Sequence, residues 1–179
     1  ARAAPGGEDG ARGLPSVERF LARLEAEDGL EAYGTAARGR LAERVLFTGY
    51  LVHEQLRHLF PACDVAIFPS LVREAGPLVF LEALASGVYP LGTDFGGMAA
   101  SIGAVEEVAP DAGSGMRLRP GEEHLVGDIA GRAIRALERP GAFVGPLRRL
   151  VEERYDWRSV ATRLEAELEG MGAGAGRVG

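Results

Sequence analysis

The sequence predicts an α/β fold, a Rossmann-like three-layer arrangement in which helices flank a parallel sheet. Two observations lead to this prediction. Short apolar runs alternate with helical patterns from about residue 44 onward. One of these runs, Asp64–Phe68, is continuously apolar rather than alternating, as in a strand that is covered on both faces. Because ligands bind outside the carboxyl ends of parallel strands, we expect functional residues in the loops that follow the strands.

Length and composition limit the possible functions. The chain has 179 residues, of which 46% are hydrophobic and 26% charged, as is usual for a soluble globular domain. Its net charge of −6 argues against a nucleic-acid partner. There is no apolar run long enough to span a membrane, no signal peptide, and a single cysteine, Cys63. We therefore expect a cytoplasmic protein with no clear membrane segment.

The two ends differ in composition from the rest of the chain. Residues 1–13 contain four glycines and show no periodicity, which predicts a flexible N-terminal segment. Residues 171–179 are mostly glycine and alanine, which predicts a disordered tail. One domain is expected between them, over residues 14–170.

Helical periodicity opens this domain. A stripe at i, i+3, i+4 and i+7 predicts a first helix with Ser16 as its cap and Gly29 at its end; the apolar residues of the stripe are Val17, Phe20, Leu21 and Leu24. A looser helical stretch follows to about Leu41, weakened by glycines.

Strands and helices then alternate. Arg44–Thr48 reads as a strand that stops at Gly49, His53–Phe60 as a short helix, and Asp64–Phe68 as a strand closed by Pro69. The next helix has proline at its first turn and Gly87 just beyond its end. That helix and the elements after it are predicted, in order, as helix Pro77–Ser86, strand Val88–Thr93, turn Asp94–Gly97 and, after a variable stretch, strand Met116–Leu118.

Three helices are expected to close the chain, roughly at His124–Arg139, Ala142–Tyr155 and Trp157–Met171. Right-handed crossovers between the strands would place the loops after the strands on one edge of the sheet. Three loops qualify: Gly49–Val52, Pro69–Gly76 and Asp94–Gly97.

One helix carries the most informative residues. The predicted helix Pro77–Ser86 is apolar nearly all round, so we expect it to be buried, and Glu82 is its exception. A buried carboxylate is costly unless it is paired or meets a ligand. The helix start offers free amides and a partial positive charge that suit phosphate or sugar oxygens, and Glu74 lies just before it.

Two interpretations of these carboxylates remain open from the residues alone. A carboxylate accepts two hydrogen bonds at once, which suits a vicinal diol of a ribose or a hexose. Alternatively, Glu82 pairs with an arginine from elsewhere in the fold and Glu74 is a solvated loop residue.

The spacing of Glu74 and Glu82, with seven residues between them, resembles the E-x7-E signature of retaining glycosyltransferases of family 4, which have the GT-B fold. The resemblance covers about residues 44–170, and its flanking stretches are residues 45–49, 59–70, 92–97 and 155–161. On this resemblance the chain is identified as most of the C-terminal donor-binding domain of a GT-B enzyme, without its first strand–helix unit.

The resemblance implies roles for individual residues. Glu82 would hold the ribose of the donor nucleotide, and Glu74 would be the catalytic residue that contacts the transferred sugar. The remaining expected contacts are Gly76, Pro77 and Leu78 for the donor sugar and diphosphate, and Gly49, Tyr50 and Leu51 for the base. Tyr50 is equally compatible with a rim aromatic that has no ligand, and the Gly96–Gly97 pair with a tight turn.

The sequence departs from the family's pattern at several points. Pro77 stands where the family usually has glycine, and proline has no N–H to donate to the sugar. Ala100 stands where the family often has glutamate. On this resemblance we expect the basic pair that neutralises the diphosphate and the N-terminal acceptor-binding domain to be absent from this chain.

The implied activity is transfer of a hexose from a nucleoside diphosphate sugar to an acceptor with retention, without a metal or other cofactor. The isolated chain is expected to be inactive. Two alternatives remain: an epimerase-like enzyme acting on nucleotide sugars, and a non-catalytic nucleotide-sugar-binding module. The histidines offer no metal site, because His53, His58 and His124 have no ligand partners at standard spacing. We expect His53 and His58 on the surface of a short helix.

Overall fold

The computed structural model describes residues 15–138 and 144–175. The flexible segment predicted over residues 1–13 lies outside these ranges, as do residues 139–143 and 176–179. The described residues form two compact units, with the division between Tyr50 and Leu51. The limits of the domain predicted over residues 14–170 stay a prediction.

The first unit is a pair of helices, α1 (Pro15–Ala26) and α2 (Leu30–Arg44). The ring of Phe20 packs edge-on against that of Tyr33, with centroids 5.3 Å apart, and Arg23 lies over the Phe20 ring. The contact between Phe20 and Tyr33 joins the two helices through the apolar stripe that the sequence predicted. Gly29, expected to end the first helix, is the N-cap of the second.

The prediction of a strand at Arg44–Thr48 is wrong. Arg44 is the last residue of α2, and residues 45–49 belong to no strand. Leu46 and Phe47 are exposed. The segment has the apolar composition of a strand, but a strand forms only where a neighbour accepts and donates its backbone hydrogen bonds. Among the described residues no strand pairs with this segment.

The second unit contains a parallel three-stranded sheet in the order β1-β2-β3, with Val65 opposite Tyr89 and Gly92 opposite Arg117. The predicted α/β class with a helix-flanked parallel sheet is thereby confirmed. In chain order the elements are α3 (His53–Leu59), a 3₁₀ turn (Phe60–Ala62), β1 (Val65–Phe68), α4 (Leu78–Ala85), β2 (Tyr89–Thr93), α5 (Gly96–Val108), α6 (Pro110–Met116), β3 (Arg117–Leu118), α7 (Glu122–Leu137), α8 (Val144–Arg154) and α9 (Trp157–Ala175).

The core of this unit gathers on α4. Phe80 and Leu84 of α4 pack against α5, α6 and α8 in one cluster, whose other buried members are Met98, Ile102, Val105, Ala112, Met116, Leu147 and Leu150. Ala83, on the same helix, packs with Phe60 and Val88 in a second cluster. The predicted burial of α4 holds for Phe80, Ala83 and Leu84 but not for its first turn, where Leu78 is 62% exposed.

Two helices occupy the stretch that the sequence analysis left as variable. The predicted turn Asp94–Gly97 ends early because α5 begins at Gly96, and α6 follows at Pro110. Pro110, Gly113 and Gly115 make α6 a poor helix by propensity alone. Packing overrides the propensity: Ala112 and Met116 are fully buried, and the Tyr89 hydroxyl donates to the Ala112 carbonyl at 2.6 Å.

The C-terminal helix is longer than predicted. α9 continues to Ala175, so residues 171–175 of the expected disordered tail are helical. Residues 176–179 of that tail lie outside the described ranges. The last six residues of α9 contain three glycines, which is why composition predicted a coil.

Leu84→Ala is expected to lower the free energy of unfolding by about 2–5 kcal/mol. The Leu84 side chain is only 1% exposed, so its truncation would leave a cavity in the core around α4. Leu168→Ala on α9, where the leucine is 60% exposed, makes the same exchange in a helix without the cavity and should change stability by less than about 0.5 kcal/mol. Urea unfolding followed by circular dichroism measures both. Equal losses would contradict the assigned core.

Candidate functional site

The loop between β1 and α4, residues 69–77, carries most of the predicted site residues. Glu74 is exposed there, and its Oε1 accepts a hydrogen bond from Ser70 Oγ at 2.6 Å. Gly76 is exposed, with open space where a side chain would stand. The Ser70 hydroxyl therefore holds the Glu74 carboxylate on the loop that leads into α4.

The start of α4 presents backbone donors. The Pro77 carbonyl accepts from the amides of Phe80 and Leu81, at 3.0 and 3.4 Å, so the helix begins directly after this proline. By helix geometry the amides of Leu78 and Val79 have no acceptor within the helix. Both residues are exposed at the surface, whereas Pro77 is buried and supplies no N–H. This end of α4 can hold an anionic oxygen at the two exposed amides.

The Gly96–Gly97 pair lies directly against the Glu74 loop. The Gly97 amide donates to the Glu74 carbonyl at 2.7 Å. A Cβ at Gly97 would stand 2.2 Å from the carbonyl oxygen of Ala75, and Gly96 has a φ of +60°. The glycines are thus required by close backbone approach as well as by the turn, and they join the loops that follow β1 and β2.

Glu82 lies one helical turn beyond Leu78 and is half-buried. Its Oε1 lies 3.0 Å from His53 Nδ1, while its Oε2 is buried and has no hydrogen-bond partner within the described residues. The alternative interpretation, in which an arginine pairs with Glu82, is therefore wrong, because the partner is the imidazole of His53. His53 is on the surface of a short helix as expected, but the sequence analysis missed its contact with Glu82. The one available signal was its position at the start of the short helix that precedes β1.

A cavity of about 270 Å³ lies beside this pair. Its wall contains His53, Arg57 and Glu82 together with Leu56, Phe60, Ala85 and Ser86. The cavity is thus lined by two nitrogen-bearing side chains, His53 and Arg57, by the carboxylate of Glu82 and by several apolar side chains. Such a mixture suits a polar ligand with an apolar face.

A larger cavity, of about 620 Å³, lies at the opposite end of the sheet. Asp64 and Tyr89, at the amino ends of β1 and β2, contribute to its wall, and so do Arg132 and Arg135. None of the predicted site residues lines it. The candidate site is assigned to the other edge, where the loops after the strands and the start of α4 meet.

The residues predicted to meet a base are divided between the two units. Gly49, with a φ of +68°, and the exposed Tyr50 belong to the first unit, whereas Leu51 opens the second. Because residues 45–49 form no strand, the loop Gly49–Val52 does not follow one, contrary to the expectation. The contacts predicted for these three residues stay predictions.

An ion network fixes the other end of the glycine turn. Arg117 on β3 donates from Nε and Nη2 to both oxygens of Glu106, at 2.7 and 2.6 Å, and also pairs with Asp94 at the end of β2. The Arg117 guanidinium holds the pKa of Glu106 below its usual value of 4.5, and Glu106 and Asp94 in turn raise the pKa of Arg117. The bidentate pair ties the end of α5 to β3, and the contact with Asp94 reaches the turn that contains Gly96 and Gly97.

Within the described ranges, no three side chains of the metal-binding types group closely enough to hold an ion. No helix in the described part of the chain combines the length and hydropathy that a membrane span requires.

Gly97→Ala is expected to lower the free energy of unfolding by about 1–3 kcal/mol, because the new methyl group collides with the backbone of the Glu74 loop. Gly127→Ala is the matched control: it is helical, has open space around it, and should gain about 0.5–1 kcal/mol. Thermal and urea unfolding report both. A stabilising Gly97→Ala would show that the two loops do not touch.

Acidification is expected to weaken the Arg117–Glu106 pair. Since folding lowers the pKa of Glu106, its contribution to stability is complete above about pH 4.5 and is lost as the pH falls toward the lowered value. The unfolding free energy of the wild type should therefore fall more steeply between pH 5 and pH 3 than that of Glu106→Gln. Glu165→Gln removes an exposed carboxylate of α9 and should keep the wild-type slope. Parallel slopes for wild type and Glu106→Gln would refute the assignment.

Comparison with known proteins relates this arrangement to glycosyltransferases. Residues 31–113 match the family model described as glycosyl transferases group 1, a range that contains every predicted site residue. Sulfoquinovosyl transferase SQD2 of Arabidopsis thaliana is 29% identical over 126 residues, which are 68% of this chain and 23% of that protein. The 2-deoxystreptamine N-acetyl-D-glucosaminyltransferase of Streptomyces fradiae is 37% identical over 65 residues, 36% of this chain and 15% of that protein.

A solved structure shows the same fold. Sucrose-phosphate synthase from Thermosynechococcus elongatus superposes with a TM-score of 0.58 at 21% identity, over 83% of this chain and 35% of that one. The chain spans less than a quarter of the length of both curated relatives. It therefore carries, over residues 31–113, a region similar to the glycosyl transferases group 1 domain, on a fold of the GT-B type.

Proposed function

We propose that this chain is the donor-binding part of a retaining glycosyltransferase that moves a hexose from a nucleoside diphosphate sugar to an acceptor. One observation carries the proposal: a helix start with two exposed amides lies between two carboxylates, Glu74 on the loop before α4 and Glu82 one turn inside it. The match of residues 31–113 to the glycosyl transferases group 1 model supports it.

The proposed binding mode follows the direction of α4. The exposed amides of Leu78 and Val79 and the positive end of the helix would hold the diphosphate. Glu82 lies about 6 Å further along the axis, at 1.5 Å per residue from Leu78, and would accept hydrogen bonds from the ribose diol. Glu74, on the loop side, would face the sugar. The nucleotide would thus run along the helix with its sugar at the loop.

The proposed chemistry needs little from the protein beyond placement and charge. During transfer the bond from the anomeric carbon to the diphosphate breaks, a bond to the acceptor oxygen forms on the same face of the sugar, and the proton of the acceptor hydroxyl passes to the departing diphosphate. The helix start would stabilise the charge that grows on the departing diphosphate. Ser70 holds Glu74 in place for contact with the sugar. No metal ion and no further cofactor are required in this proposal.

A second candidate function is favoured by Pro77. This residue caps α4, is buried, and has no N–H to donate where the resemblance leads us to expect glycine. A module that binds a nucleotide sugar without transferring it would tolerate the missing donor. Turnover of a panel of nucleoside diphosphate hexoses by the whole protein separates the two functions, because the module binds these donors and leaves them intact.

The two carboxylates are expected to act on different ends of the donor. Glu82→Ala should weaken binding of a nucleoside diphosphate by about 1–3 kcal/mol, because the ribose loses a charged acceptor. Glu74→Gln should leave that affinity nearly constant while reducing turnover of the donor in the whole protein. Calorimetric titration with uridine, guanosine and adenosine diphosphates measures the first effect, and product formation the second.

Glu165→Ala, on the exposed surface of α9, is the matched control and should leave both quantities unchanged. If Glu82→Ala kept full affinity but lost much stability, Glu82 would be a structural partner of His53 and the proposed binding mode would fail. Loss of nucleotide affinity in Glu74→Gln but not in Glu82→Ala would mean that the two ends of the donor are reversed.

A further inference from the structure

Both oxygens of the Glu82 carboxylate are closed to a ligand, for different reasons. Oε1 is in contact with His53 Nδ1, at a distance of 3.0 Å. Oε2 is buried and has no hydrogen-bond partner within the described residues. A ligand with two adjacent hydroxyls can use both oxygens only after the imidazole leaves Oε1 or the carboxylate rotates.

His53 is placed to leave easily. Its side chain is 79% exposed, against 35% for that of Glu82, and it stands at the first position of α3. A pair with one partner so exposed gains little from its attraction, because water screens it. Exchange of the imidazole for another donor is therefore inexpensive.

Arg57 does not pair with Glu82, although it lies close to this carboxylate. It lines the same cavity as His53 and Glu82, yet its guanidinium pairs with Glu54 at 3.1 Å and donates from Nε to His58 at 3.2 Å. The guanidinium of Arg57 thus has both of these partners on α3, its own helix. Within the described residues the imidazole of His53 is the group that occupies Glu82.

The closed arrangement leaves part of the carboxylate unsatisfied. A buried oxygen without a donor retains the cost of its lost hydration. A vicinal diol supplies two donors at once, so it would replace the His53 contact and also satisfy the second oxygen. Replacement of His53 by a diol therefore gives the Glu82 carboxylate two hydrogen-bond donors in place of one contact, which favours binding of the ligand.

We propose that His53 is an internal competitor for Glu82: it occupies and positions the carboxylate in the free protein and is displaced by the ribose diol of a nucleoside diphosphate. This inference rests on the proposed function, in which Glu82 binds the ribose. His53 is a positioning residue, since it acts through Glu82 and does not touch the reacting atoms. Its effect is on the affinity for the nucleotide.

Titration of the 179-residue chain with uridine, guanosine and adenosine diphosphates tests the proposal. Removal of the competitor in His53→Ala is expected to raise the affinity for the nucleotide that binds about 2- to 10-fold, the range of one net hydrogen bond. His124→Ala, on α7 and outside the cavity, is the matched control and should keep wild-type affinity. Unchanged or lower affinity in His53→Ala overturns the proposal.

The imidazole nuclear magnetic resonance signals of His53 provide a second readout that a purely structural role would not move. In the free protein Glu82→Gln should shift these signals, because the contact with the carboxylate is lost. Saturation of the wild type with the nucleotide that binds should shift them in the same direction. Signals that stay at their free positions in the saturated protein overturn the proposal.

The outcomes separate this inference from the proposed function. If the wild type binds a nucleotide in a Glu82-dependent way but His53→Ala gains nothing, the competitor role fails and the donor-binding function stands. If neither the wild type nor His53→Ala binds any of the three nucleotides, both fail. Binding by His53→Ala alone supports the competitor role strongly.

Discussion

Burial of one face of α4 (Leu78–Ala85) holds the second unit together and at the same time sets its candidate site. Phe80 and Leu84 belong to one core cluster and Ala83 to the other, so this face is shared by both. A fully buried leucine or phenylalanine contributes about 1.5–3 kcal/mol. With the inner face anchored in this way, Leu78, Val79 and Glu82 are left on the outer side, at the edge where the loops after the strands meet.

The loop in front of α4 is held by backbone and charge rather than by apolar packing. Gly97 approaches the carbonyls of Glu74 and Ala75 so closely that a side chain cannot fit between them. Arg117 pairs with Asp94, which directly precedes this turn, and with Glu106 in the last turn of α5. These contacts place Glu74 relative to the helix start without occupying its carboxylate, which only Ser70 contacts among the described residues. The site thus combines a rigid frame with a carboxylate on its exposed side.

Part of this site was predictable from the sequence. The spacing of Glu74 and Glu82 around a proline-started helix indicated two carboxylates near one helix start, and the continuous run before it indicated a buried parallel strand. The His53–Glu82 contact was not predictable, because 28 residues separate the two and no local pattern links them. The apolar segment 45–49 was read as a strand, since composition reports hydrophobicity but not whether a pairing partner stands beside it.

The sequence by itself determined the α/β class, the order of the main elements and the identity of the two carboxylates. These three features depend on local periodicity and on residue chemistry, and both can be read directly from the sequence. Only the tertiary structure decided that α5 (Gly96–Val108) and α6 (Pro110–Met116) are helices despite their glycines, and which side chain faces Glu82. Packing of Ala112 and Met116 outweighs the propensity of α6, and the approach of α3 brings His53 to the carboxylate; both result from contacts between residues distant in sequence.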